Sequence, residues 1–101
     1  MKLLNIFKSG PSDQFDALLK DLINEANHRK PYSYTDPPYH QLENVKKIQM
    51  LPEEQLAAFI AFLVQTAKSD WVKKKSFSWS GVWYHSLRAA DQLLKHFLIY
   101  F

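Results

Sequence analysis

Leu51-Pro52-Glu53-Glu54-Gln55-Leu56-Ala57-Ala58-Phe59-Ile60-Ala61-Phe62-Leu63-Val64-Gln65-Thr66-Ala67 is the stretch on which the fold turns. Pro52 suits a helix start, since the N–H it lacks is one that the first turn leaves unbonded, and Glu53 and Glu54 put negative charge at the positive end of the helix dipole. Beyond Leu56 the residues are apolar almost all round. Leu56, Phe59, Ile60 and Leu63 define one face, whereas Ala58, Ala61, Phe62 and Val64 occupy the other. A helix over roughly 52–70 therefore asks for cover on both sides and becomes the centre of the domain.

Upstream, Ser12 and Asp13 follow a Gly10-Pro11 turn and are side chains that cap a first helical turn. Phe15, Leu18, Leu19, Leu22, Ile23 and Ala26 then repeat at steps of three and four, which predicts an amphipathic helix over roughly 13–28 that stops before Pro31. Tyr32 to Pro38 reads as an extended linker. Asp36-Pro37 looks like a cap with proline in the first turn, and Tyr39, Leu42, Val45 and Ile48, spaced by threes, predict a thinner helix over roughly 37–49.

Downstream, Asp70 to Gly81 is broken by three serines and a glycine and reads as a connection. A last helix is expected over roughly 81–100, with Trp83, Leu87, Ala90, Leu94, Phe97 and Phe101 as its main apolar stripe. Val82, Ala89, Leu93 and Tyr100 lie beside that stripe, with Arg88, Asp91, Gln92 and Lys95 facing out. No strand pattern competes. The fold expected is all-α, with about four helices in an antiparallel helical bundle or a helical-hairpin, solenoid-like unit. At 101 residues the chain is one domain, residues 1–101. Its apolar run from Leu93 to Phe101 has no residue that stops a helix, so the reading extends to the N-terminal fragment of a larger helical protein.

Composition narrows the function classes. Two glycines, Gly10 and Gly81, are too few for phosphate-cradling loops, and the lack of cysteine removes disulfides, thiolate nucleophiles and sulfur-based zinc sites. A cytoplasmic location fits such a chain. The run Leu3 to Phe7 is too short for a signal peptide, and no stretch approaches the roughly 18 uncharged apolar residues of a membrane span. The net charge of +3 is modest. Its distribution is uneven: residues 68–101 carry six basic and two acidic side chains, a net of +4.

No catalytic residue, cofactor or metal ligand is assigned. His85 and Ser86 are neighbours that diverge on a helix, and no glycine-flanked elbow presents a serine. Asp36, His40 and Glu43 could share a face but read as local caps or surface contacts, and His85 and His96 as surface polar residues. Tyr32, Tyr34 and Tyr39 read as cover for the edge of a core. The expected function is a non-enzymatic protein-interaction or scaffold module. Trp71, Phe77, Trp79, Phe97, Tyr100 and Phe101 would pack on a protein partner, on the remainder of a longer chain or on a second copy. The first alternative is a nucleic-acid-binding module using Lys73, Lys74, Lys75 and Arg88 beside the tryptophans, because aromatics among cations stack on bases while pairing with phosphates. The second is a small inhibitor or immunity-type protein that occludes another protein's site.

Overall fold

In the computed structural model, residues 11–29, 38–74 and 82–101 are described, with side chains from 14 onward and excepting that of Lys74. The described residues are all-α. Helix α1 spans Pro11–Arg29, a 3₁₀ turn spans Tyr39–Gln41, and α2, α3 and α4 span Glu43–Gln49, Glu53–Lys74 and Val82–Tyr100. The expected cap Asp36 with its first-turn Pro37, and Ser76, Ser78, Ser80 and Gly81 of the expected connection, lie outside the described residues, as do Tyr32 and Tyr34.

The expected helix over 37–49 is not continuous. Leu42 takes an extended conformation, φ −68° and ψ 133°, and separates the 3₁₀ turn from α2. The stripe nevertheless holds, for Tyr39, Leu42, Val45 and Ile48 are all buried. Spacing by threes is the repeat of a 3₁₀ turn, so Tyr39 and Leu42 reach the same side across the break.

The central helix runs past its expected end at 70 to Lys74. Asp70 and Trp71, read as the start of the connection, are helical because both are held by α4. The Asp70 carboxylate accepts the Trp83 N–H at 3.0 Å, and the Trp71 ring lies edge-on to Trp83 at 5.0 Å.

The core is built from one face of each helix. Leu19, Leu22 and Ala26 of α1 and Val45 and Ile48 of α2 meet Leu56, Phe59 and Leu63 of α3. Phe15 closes the α1 end through ring contacts with Phe59 at 5.1 Å and Phe62 at 5.5 Å. α3 and α4 form an antiparallel hairpin with the most extensive helix–helix contact, and α1, the 3₁₀ turn and α2 lie against one side of it. The shortest principal extent is 20 Å, room for two helix layers of about 10 Å each. One long side of the hairpin is therefore left without a covering helix among the described residues.

On α4 the core stripe is rotated from the expected one. His85, Ser86, Ala89, Ala90 and Leu93 are buried, whereas Leu87 and Leu94 are exposed. Small side chains at 86, 89 and 90 let α3 approach closely, and the larger leucines turn to the open side. His85 is thus a correction: it belongs to the interior and not to the surface.

Candidate functional site

Two features stand apart from ordinary core packing, and the first is polar. His85, with 0% exposure, receives the Tyr39 hydroxyl proton at Nδ1 over 2.6 Å. Its Nε2–H donates to Asn27 Oδ1 at 3.1 Å. An amide oxygen can only accept, which sets a proton on Nε2; in the neutral ring Nδ1 is then the acceptor for the Tyr39 hydroxyl. The imidazole therefore ties α1, the 3₁₀ turn and α4 together. Ser86 beside it is also fully buried, and its Oγ has no hydrogen-bond partner among the described residues. His85 and Ser86 are not bonded to one another, and neither of them lines the cavities described below.

A carboxylate of α1 does similar work for α2. Glu25 accepts the Glu43 N–H at 2.7 Å and the Asn44 N–H at 2.9 Å, and it holds the Asn44 amide at 2.8 Å. Leu42 offers no side-chain cap of its own, so α2 is capped from another helix. Burial pushes the Glu25 carboxyl upward, but the two backbone N–H groups, the Asn44 side chain and Arg29 outweigh it and hold the group below its ordinary value. Arg29 stands 3.6 Å away.

The second feature is apolar. Along the open side of the hairpin run two depressions that share Val64 and Leu87 and so form one groove. The first, of about 280 Å³, is lined by Val64, Ala67, Lys68, Trp71, Trp83 and Leu87. The second, of about 390 Å³, continues along Ile60, Arg88, Ala90, Asp91 and Leu94. Val64 is 39% exposed, Trp71 45%, Leu87 47% and Leu94 44%. The lining residues recur at helical spacing, 60, 64, 67 and 71 on α3 and 83, 87, 90 and 94 on α4, with the buried Ala67 and Ala90 between the exposed Val64, Trp71, Leu87 and Leu94, so the lining is one apolar seam and not scattered side chains.

The residues expected to meet a partner divide. Trp71 lines the groove. Phe97 is half-buried against the core, in tilted ring contact with Phe101 at 5.2 Å. Tyr100, in ring contact with His96 at 4.5 Å, and Phe101 are exposed at the far end of α4. Phe77 and Trp79 lie outside the described residues. Of the cations, Lys73 is exposed on the last turn of α3, Lys74 ends that helix, Arg88 lines the groove, and Lys75 lies outside the described residues.

Ile60, Val64, Trp83, Leu87 and Leu94 line the groove without being expected as partner contacts. For Ile60 and Val64 the signal is the hydrophobic pattern of 52–70, which wraps the whole helix, whereas Trp83, Leu87 and Leu94 belong to the main apolar stripe expected of the last helix and so read as core.

Among the described residues no three His, Asp or Glu side chains are grouped as metal ligands, and no helix is long and apolar enough to cross a membrane. No family model matches the chain, and neither a curated protein nor a solved structure matches it.

Proposed function

We propose that this chain is a non-enzymatic helical interaction or scaffold module that packs the open side of its α3–α4 hairpin on a partner. A cytoplasmic setting suits a cysteine-free chain of this kind. One observation carries the reading: among the described residues no helix covers the apolar groove bordered by Val64, Trp71, Leu87 and Leu94. Exposed apolar surface that is continuous and concave marks sites of association, because covering it releases ordered water at no cost in folding.

A displayed random-peptide library selected on the whole chain tests this. Enriched peptides should lose at least tenfold in affinity on a Leu87→Glu variant whose helical circular dichroism is intact. Failure to enrich any peptide, or enrichment of peptides indifferent to Leu87→Glu, would count against the proposal.

A further inference from the structure

We propose that a hollow where α1, α2 and α3 meet, apart from the hairpin groove, binds a free apolar α-amino acid as its zwitterion. The hollow measures about 380 Å³, within the roughly 300–1,000 Å³ of small-molecule pockets. Phe15 and Leu18 of α1 and Leu51 of the α2–α3 turn, all half-buried against the core, make its floor. Gln14, Asp21, Lys47 and Gln55 are exposed and make its rim. Residues 14, 18 and 21 follow at steps of four and three, so one face of α1 supplies a whole wall. An apolar floor under a few polar groups is the composition of a site for a small molecule.

The rim selects the ligand. Among the described residues the Asp21 carboxylate and the Lys47 ammonium are paired neither with one another nor with a third group, although both line the same hollow. Asp21 lends only its backbone carbonyl, to the Asn44 amide at 3.3 Å. The charges next to them in sequence are engaged elsewhere: Lys20, with Asp16, lines a separate hollow on α1, and Lys46 pairs with Glu43 at 3.8 Å. Glu53 and Glu54 open α3 but line no part of this one. One cation and one carboxylate therefore border the space, and an occupant of single charge would pair with one and be repelled by the other. A ligand with an ammonium for Asp21 and a carboxylate for Lys47 satisfies both through charge-assisted hydrogen bonds. The Gln14 and Gln55 amides each carry an acceptor oxygen and two N–H donors, so they serve either end of it. A side chain such as that of leucine or phenylalanine then covers Phe15, Leu18 and Leu51. A peptide segment lacks the two adjacent charges. A phosphocholine headgroup has both, but its quaternary nitrogen has no N–H to donate to Asp21.

Nuclear magnetic resonance of the nitrogen-15-labelled whole chain, titrated with L-phenylalanine, tests this. Amide shifts confined to residues lining the hollow should saturate with a midpoint of about 1–10 mM. Phenethylamine lacks the carboxylate, 3-phenylpropionate the amine and glycine the apolar body, and each should bind at least tenfold more weakly, as should glycerophosphocholine. Asp21→Asn and Lys47→Met, both at exposed positions, should keep the helical circular dichroism and each weaken phenylalanine at least tenfold. A comparator that binds as well as phenylalanine overturns the zwitterion, and in the case of glycerophosphocholine reassigns the hollow to a lipid headgroup. Shifts centred on Val64 and Leu87 would put the amino acid in the hairpin groove and overturn the location. Binding that neither variant weakens, or no saturating shift by about 50 mM, overturns the site. None of these results bears on the groove, whose peptide test is separate.

Discussion

His85 reaches Asn27 and Tyr39 only because three separate elements converge, Asn27 from α1, Tyr39 from the 3₁₀ turn and the ring itself from α4. Tyr39→Phe keeps the ring and removes the proton offered to Nδ1, leaving a buried acceptor without that donor. The expected loss is about 1–3 kcal/mol in urea denaturation, and unchanged stability would show that Nδ1 is satisfied otherwise. Ser86→Ala runs the other way. It deletes a buried hydroxyl that has no partner among the described residues, in a helix where alanine is favoured, so stability should hold or rise by up to about 1 kcal/mol. Glu25 adds a dependence on pH. Its folded-state value lies below the unfolded one, so its contribution is complete above the unfolded value and is lost as pH falls through the folded value. Glu25→Gln should cost about 1–3 kcal/mol at neutral pH and flatten the acid limb of the stability curve. A wild-type acid limb would refute the assignment.

Helices α2 and α4 share a device, because each receives the cap for its first turn from a helix earlier in the chain, Glu25 for α2 and Asp70 for α4. Asp70→Ala should destabilise the protein by about 0.5–2 kcal/mol, and Asp70→Asn, which retains an acceptor oxygen, by less. Equal losses for the two would place the role of Asp70 elsewhere. Such caps explain what the sequence could and could not convey about these elements. The α1 stripe of Phe15, Leu18, Leu19, Leu22, Ile23 and Ala26 is local, and it packs as read. The break at Leu42 is not local, since it depends on a carboxylate seventeen residues away in α1. The extension of α3 to Lys74 likewise depends on Trp83. On α4 the hydrophobic pattern pointed to the larger side chains, and the stripe that buries is the one with a histidine and a serine in it. No scale of hydrophobicity ranks His85 as interior, for its burial rests on partners such as Tyr39 and Asn27 that only the fold supplies.

At the scale of the whole molecule the decisive fact is that, among the described residues, other elements cover the hairpin on one side only, and adjacent leucines on α4 report the two sides. Leu93 is fully buried and Leu94 is 44% exposed in the groove, because neighbours on a helix point about 100° apart. Leu93→Ala leaves a void among Leu22, Phe59 and their neighbours and should cost about 2–5 kcal/mol. Leu94→Ala removes a side chain already half in water, where the change should stay within about 0.5 kcal/mol. The two substitutions delete the same atoms from the same helix, so propensity cancels and only cover differs. The peptide assay should separate them in the opposite order, with Leu94→Ala weakening binding of the enriched library peptides and Leu93→Ala leaving it unchanged in conditions where the variant stays folded. Equal destabilisation would mean that Leu94 is covered in solution, which a closed partner surface or a further segment over the groove would produce, and the open side would then have to be given up as the place of association.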